Sequence, residues 1–549
     1  MNVERFPAAL AASVAAEGVS DVFGLMGAGT IELTRHLVSD HGVRYYSTRH
    51  EAAAVGAADG YARTGAGTGV AIVSSGPGVT NALTALTTAK RGASPLVLIA
   101  PDSDSAPPMR FPFAGGTQTL DETLILTALD VDVVRCDPRS VYGDVGTAFA
   151  RARGRQAPVV LLYPLEANGA DVAGSPSVAT DVDRAEAEPR QAELEAAARV
   201  LSKAVRPLVV AGLGAARAGA GESIARVADR CGALLTTSLR GAGLFAGHPY
   251  NLGICGGFAP EPTAELIAQS DCVLAFGASL NRFTTRRGDL VKSARIIHCD
   301  VDASAFHRYE RSDVSILGDA KVVADRLSEL VDGGNGSTYR AAADAAGLAS
   351  ASLLHPFDDV SSPGQLDPRA VCRRIDGLLP EARVIVTDCG QSSEFPVEQM
   401  RVFDPQTLLW MFDFGAVGSG LGAAVGAAVA QPERTTVLFI GDGGLLMTLG
   451  DLDTVVRERI PLLVVCLNDR AFGAEVMHMQ AIGVPVEPAR FPTPDLAEIA
   501  RSVGFEAVTV SDFEDLDRLA PQIANVDRPT FLNCLIYENP VDSPLRPHV

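Results

Sequence analysis

Two stretches near opposite ends of this 549-residue chain repeat one order of features, and that order leaves few folds open. In one, the apolar run VAIVSS (70–75) leads into Gly-Pro-Gly, then the helical pattern VTNALTALTTAKRG, then a second apolar run, SPLVLIA. In the other, TTVLFI (435–440) leads into Gly-Asp-Gly-Gly, then LLMTLGDLDTVVRER, then PLLVVCL. Each reads as a strand–turn–helix–strand unit, and similar apolar runs of about six residues alternate with helical patterns along the chain. Such alternation predicts an α/β fold of mostly parallel sheets flanked by helices. In open sheets of that kind ligands bind at the carboxyl ends of the strands, and both glycine-rich turns fall there. Two such units suggest one ligand held between them, although any two α/β domains would share the texture.

Two segments interrupt the pattern. Residues 169–190 are polar, acidic and poor in large apolar side chains, and residues 333–365 are rich in Gly, Ala and Ser. Both read as linkers, the second partly helical. They divide the chain into domains at 1–168, 191–332 and 366–549. The middle domain has a Rossmann-like texture, but Gly212-Leu213-Gly214 is a single G-x-G without the full dinucleotide fingerprint, so a nucleotide there stays open. The formal net charge of −20 argues against nucleic acid as a partner. No apolar stretch is long enough to cross a bilayer. The N-terminal residues lack a basic segment ahead of an apolar core, so they read as an amphipathic helix entering the strand DVFG (21–24), not as a signal peptide. Nine cysteines are scattered without a CxxC pair, several inside apolar runs such as LLVVCL. That is the usage of reduced, buried thiols in a cytoplasmic protein and not of a metal cluster.

The residues most able to do chemistry lie in the second unit. The turn Gly441-Asp442-Gly443-Gly444 presents backbone N–H groups and one carboxylate, which suits a diphosphate and its divalent cation. The next strand ends at Asn468-Asp469, beside the first in the sheet, so these side chains can reach the same ion. Oxygen ligands from a carboxylate, a second side chain, a backbone carbonyl and a diphosphate suit Mg2+. A tight turn with polar caps would present the same residues without any ligand.

Together the motifs become recognisable. The GDG turn with the later Asn-Asp pair resembles the thiamine diphosphate motif, and RHEAAAVGAADGYAR (49–63) resembles the segment carrying that family's activating glutamate. SSGPGVTNALTAL (74–86), DFGAVGSGLGAAVGAA (413–428), RPLVVAGLG and TTSLRGAGLF also match. Over essentially its whole length the chain is similar to the superfamily of acetolactate synthases, pyruvate oxidases, benzaldehyde lyases and 2-oxo acid decarboxylases, closest in pattern to acetolactate synthase large subunits. The resemblance implies domains in the order pyrimidine-binding, central and diphosphate-binding, with thiamine diphosphate and Mg2+ as cofactors. It also implies a homodimer or homotetramer, because that family builds each site from two subunits. FAD is carried by some synthases, and the glycine pattern of the central domain does not decide it.

By the same resemblance Glu51 would hydrogen-bond N1′ of the aminopyrimidine and promote the imino tautomer that removes the thiazolium C2 proton, a general acid/base arrangement. An acid satisfying a helix N-terminus is the alternative. His50 reads as packing. Asp442 would be the principal metal ligand. Asp469 would be the second, where most relatives have Asn, unless Asn468 takes that duty, and the carbonyl of Ala471 would be the third. Gly443 and Gly444 would meet the diphosphate, with Ser75, Gln391, Ser392, Asn468 and Gly473 among the other cofactor contacts. Gly415 and Ala416 match the positions at the aminopyrimidine edge. Val417 matches the apolar wedge that bends the cofactor, where relatives commonly place a larger residue.

The implied reaction is decarboxylation of a 2-oxo acid with the cofactor as electron sink. The fate of the enamine then depends on proton donors and on room above C2. Gly27, Ala28 and Gly29 would form a small-residue turn that leaves space for a carbonyl acceptor, and Gln118 resembles the pocket glutamine of acetolactate synthases and benzaldehyde lyase. The adjoining histidine pair of pyruvate decarboxylases is missing. Glu475 pulls the other way, because pyruvate and indolepyruvate decarboxylases carry a proton-relay glutamate at the matching place; a solvated or paired glutamate on a helix face is the alternative. These residues favour carboligation over simple aldehyde release or acyloin and aldehyde cleavage. Cleavage of hydroxyacyl-CoA or oxalyl-CoA is disfavoured, since no basic C-terminal segment offers itself to a CoA phosphate. A non-catalytic relative that keeps the fold to bind cofactor is the alternative from another class, and retained Glu51, Asp442 and Gln118 argue against it.

Overall fold

The computed structural model describes residues 3–102, 118–176, 188–331, 333, 335–348 and 354–538. Three six-stranded sheets organise them, as the alternation of apolar runs and helices requires. In the N-terminal sheet, strands Asp21–Gly24, Arg44–Ser47, Gly69–Ile72, Leu96–Asp102, Asp132–Arg135 and Pro158–Pro164 pair in parallel. Their spatial order is second, first, third, fourth, sixth, fifth. In the C-terminal sheet, Arg383–Thr387, Leu408–Trp410, Thr435–Gly441, Leu462–Asn468, Glu506–Val510 and Thr530–Leu535 take the same order. The repeat visible in the sequence is therefore a repeat of topology. The central sheet differs. Its strands Pro207–Ala211, Leu234–Thr237, Asn251–Ile254, Cys272–Phe276, Arg295–Asp300 and Val314–Leu317 lie in the order third, second, first, fourth, fifth, sixth, which is the Rossmann order. Interior strands are unbroken apolar runs because helices cover both faces; every residue of Gly69–Ile72 and of Leu462–Asn468 is buried.

The N- and C-terminal sheets belong to one compact unit and the central sheet to another. Inside the first unit the helices Glu51–Arg63 and Gly420–Ala430 cross with their backbones touching. A Cβ on Gly60 would collide with the Ala423 carbonyl oxygen, and one on Gly426 with the Ala57 carbonyl oxygen. The Ala- and Gly-rich sequences EAAAVGAADGYAR and GLGAAVGAAVA are what permit this approach. One apolar core runs through the crossing, from Phe23 and Leu98 to Leu438 and Val464. Gly426→Ala is expected to push the helices apart and cost about 1–3 kcal/mol, read as a lower urea midpoint; an unchanged midpoint would show the crossing to be loose.

Three local expectations are corrected. The helix Phe6–Ala16 is not amphipathic, since Phe6, Ala9, Leu10, Ala11 and Val14 are all fully buried. Its alanines are small enough for neighbours to enclose it on most sides. His50 is not packing but an exposed helix cap: its Nδ1 accepts the N–H of Ala52 at 3.1 Å. Within the expected 169–190 linker, Asp171–Ala173 forms a strand antiparallel to Val3–Arg5, burying only Val172 of the three. Residues 177–187 of that linker and 349–353 of the second lie outside the described residues. The second linker contains the helix Ser337–Ala345. All nine cysteines are buried and unbridged. No described helix is long and apolar enough to cross a membrane.

Candidate active site

Both outer sheets reverse their strand order between the first and third strands, and in open α/β sheets ligand crevices open at the carboxyl ends flanking such a reversal. In the C-terminal sheet those ends deliver Asp388–Ser392 and Gly441–Gly444. A Cβ on Gly441 would lie 3.3 Å from Ser392 Oγ, and one on Gly443 would lie 2.6 Å from the Phe472 ring. Gly444 lies against Asp388 Oδ2 and Val417, and Gly473 against Gln391 Oε1 and Asp469 Oδ2. Glycine at these places lets side chains from three loops close on one turn. Asp442, Asp469, Ala471, Gln391, Ser392, Val417, Gly443, Gly444 and Gly473 are thus brought together.

Asp442 is buried, and neither of its carboxylate oxygens makes a hydrogen bond of full geometry among the described residues, although the N–H groups of Gly443 and Arg470 lie near enough to favour its charge. Burial raises its carboxyl to about 6. Asp469 is pushed well above the usual carboxylate range, by burial first and by the charge of Asp442 second. Two such carboxyls side by side call for a cation. No group of three or more His, Cys, Asp or Glu that could hold a metal occurs among the described residues, so further ligands would come from a carbonyl such as that of Ala471 and from a bound phosphate. The donor set fits Mg2+. Asn468 stands apart: its amide donates to Asn533 Oδ1 at 2.9 Å, and its carbonyl accepts from Thr493 at 3.3 Å. Asp469, not Asn468, is the side chain that faces Asp442.

Gly415 and Gly418 take positive φ, +73° and +90°, and bend the chain around Ala416 and Val417. Asp388, a residue the motif reading passed over, fixes this loop. Its Oδ2 accepts the N–H of Gly418 at 2.9 Å and its Oδ1 that of Gly420 at 2.7 Å. Burial raises its carboxyl to about 6, against the pull of those N–H groups. A raised folded value means that the native state holds the proton more tightly than the unfolded chain, so this group's contribution to stability falls as pH rises from about 4 through about 6. The wild type's stability relative to Asp388→Asn is expected to drop by about 2–3 kcal/mol across that window, measured by urea unfolding of metal-free protein. A constant difference would contradict the assignment. The position of Asp388 at a strand end, just before Gly390-Gln391-Ser392, was the signal available in the sequence.

In the N-terminal sheet the corresponding strand ends deliver the Gly27–Gly29 turn and Ser74–Gly78. Gly27 lies against Ser74, where a Cβ would come within 2.8 Å of that side chain. Ala28 begins a short 3-10 turn, and the Gly29 carbonyl accepts from Tyr163 at 2.8 Å. Ser75 donates to Gln118 Oε1 at 3.4 Å, and Gly76 can accommodate the Gln118 backbone only because it lacks a side chain. Gln118 itself is exposed. Glu51 opens the helix Glu51–Arg63, is only 7% exposed, and its Oε2 accepts from Asn81 at 2.9 Å. Asn81 and Glu122, which accepts the Gly76 N–H at 2.9 Å, are further polar supports that the motif reading did not single out. Glu475 is exposed on the first turn of Gly473–Ala481, near enough to Cys389 for its charge to help raise that thiol after burial.

Between the two outer sheets lies a cavity of about 330 Å³, lined by His50, Ala52 and Thr84 on one side and by Ala416, Val417 and Met447 on the other. Neither Glu51 nor Asp442 lines it. In the central sheet, the Gly214 N–H donates to the Gly277 carbonyl at 3.1 Å, and Gly212 and Gly214 pack against the Gly277-Ala278 backbone. Close strand-end packing accounts for this G-x-G.

Comparison with known proteins matches three family models in series. They are the N-terminal, central and C-terminal domains of thiamine pyrophosphate enzymes, at residues 5–121, 194–327 and 388–534. A probable 2-ketoarginine decarboxylase of Pseudomonas aeruginosa is 32% identical over 522 residues, covering 93% of this chain and 90% of that one. The chain belongs to the thiamine pyrophosphate enzyme family. Other enzymes match at similar length. A sulfoacetaldehyde acetyltransferase of Alcaligenes xylosoxydans xylosoxydans is 28% identical, covering 91% of this chain and 87% of its own. The acetolactate synthase isozyme 2 large subunit of Escherichia coli is 28% identical, covering 95% and 94%. The cofactor class read from the motifs is thereby shown, and the chain is a thiamine pyrophosphate-dependent enzyme.

Proposed function

We propose that this enzyme decarboxylates a 2-oxo acid with thiamine diphosphate and Mg2+ and joins the remaining fragment to a carbonyl acceptor, an acetolactate-synthase-like carboligation carried out in the cytoplasm. The observation that carries the reading is the pair of polar clusters at the two strand-order reversals: the buried Asp442 carboxylate beside Asp469 in one sheet, and the buried Glu51 held by Asn81 in the other. When bound, thiamine diphosphate supplies an electron sink for the pair released with CO2. Asp442, Asp469 and the Ala471 carbonyl would hold the cation, while Gly443 and Gly444 would offer N–H groups to the diphosphate. Glu51 would hold a proton at N1′ of the aminopyrimidine, and Val417 would pack against the cofactor. The small Gly27–Gly29 turn and Gln118 beside Ser75 leave room for, and orient, the acceptor.

Neither Glu51 nor Asp442 lines the cavity between the outer sheets, which is in keeping with a site built from two copies, the N-terminal domain of one facing the C-terminal domain of the other. The assembly proposed is at least a homodimer. A second reading, simple release of an aldehyde, is favoured by exposed Glu475 as a proton donor and by the similarity to a probable 2-ketoarginine decarboxylase. Incubation with thiamine diphosphate, Mg2+, pyruvate and a panel of larger 2-oxo acids separates the two. Acyloins or acetohydroxy acids support carboligation, free aldehydes support the second reading, and no turnover of any acid would sink both.

A further inference from the structure

The stretch Asp413–Gly420, which carries Gly415, Ala416 and Val417, is anchored at both ends and exposed at its tip. Its far end hangs on Asp388 through Gly418 and Gly420. Its near end is held by Arg63, the last residue of the helix that Glu51 opens. The Arg63 guanidinium is buried and forked. Nε and Nη2 donate to the two oxygens of Asp59 at 2.8 and 2.9 Å, and Nη1 donates to Asp413 at 2.5 Å. Ser94 also donates to Asp59. Gly92 lies directly against the guanidinium, where any Cβ would run into Nη2. Between the anchors Phe414 and Val417 are 40% and 39% exposed, with the Arg91 guanidinium 4.8 Å from the centre of the Phe414 ring.

A buried ion pair adds little to stability over an apolar contact of the same volume, but a guanidinium shared between two carboxylates fixes direction and distance. That is the property a loop needs when its exposed tip must meet a planar ring in one geometry. We propose that Arg63 is a positioning residue: through Asp413 it sets the loop that meets the aminopyrimidine, so the last turn of the Glu51 helix controls cofactor geometry in the C-terminal sheet. The proposal rests on the cofactor placement given above.

The chain's single tryptophan, Trp410, provides the readout. It stacks on Phe412, with centroids 4.7 Å apart and planes 9° apart, in the segment that enters the loop. The full-length protein in Mg2+ is titrated with thiamine diphosphate while Trp410 fluorescence is followed, for wild type, Asp413→Asn and Arg63→Lys. Asp413→Asn is expected to raise the cofactor Kd by about tenfold or more, the scale of a lost support behind a bound group. Arg63→Lys, which keeps the charge but loses the fork, is expected to fall between this variant and wild type. A Kd for Asp413→Asn within about twofold of wild type overturns the proposal, whatever the change in Tm, because a merely structural role would move Tm alone. Should Arg63→Lys fail to fold, Asp413→Asn decides by itself. Absence of binding by the wild type overturns the cofactor placement and this proposal together; binding by the wild type with unaltered variants overturns only the latter.

Discussion

Glu51→Gln should slow exchange of the cofactor's C2 proton by about 10²–10⁴-fold, the range of a lost general acid/base group, while cofactor affinity stays within about tenfold, the range of one altered hydrogen bond. The glutamine keeps a carbonyl oxygen for the Asn81 amide, which the Glu51 Oε2 now accepts at 2.9 Å, so the helix start has no reason to rearrange. What is lost is the ability to share a proton with a ring nitrogen. Deuterium exchange at C2, quenched and read by NMR, measures this step without any knowledge of the substrate. Exchange at the wild-type rate would remove Glu51 from its role.

Asp442→Ala should weaken binding of thiamine diphosphate at fixed Mg2+ by about 10²–10³-fold, since removing one member of a buried charged set costs about 2–5 kcal/mol. With Asp442 gone, Asp469 would be the one carboxylate left beside the cation. Metal-free protein should resist unfolding better after the substitution, because a desolvated carboxyl raised to about 6 is a cost at neutral pH until a cation arrives. Isothermal titration with cofactor and Mg2+ checks the first part and urea unfolding without metal the second. Affinity unchanged by Asp442→Ala would place the cation elsewhere.

Much of this was legible in the sequence because glycine-rich turns at strand ends leave a plain trace. The α/β class, the Rossmann texture of the centre and the doubling of one unit all followed from apolar periodicity and from turns such as GDGG. The supporting polar residues did not show. Asp388, Asn81, Glu122 and the Arg63–Asp413 pair act across sequence separations that only the folded chain closes. In the sequence each is one more charged or amide residue on a helix or at a strand end. Burial was misjudged where residues are small, as in the helix Phe6–Ala16, because alanine suits a surface and an enclosed helix equally well. The family's spacing put the second ligand at Asp469 with Asn468 as the alternative, and the hydrogen bonds of Asn468 to Asn533 and Thr493 show that side chain engaged elsewhere.

The proposed sharing of each site between two copies, in which the cavity between the outer sheets of one chain is lined by neither Glu51 nor Asp442, has a genetic consequence. If each reaction centre takes its glutamate from one copy and its aspartate from the other, two lesions that each silence the protein need not silence a mixture. A hybrid of an E51Q copy and a D442A copy would carry one centre with both faults and one with none. Cells expressing the two dead alleles equally would then recover activity that neither allele gives alone, about a quarter of the intact level if the copies pair at random.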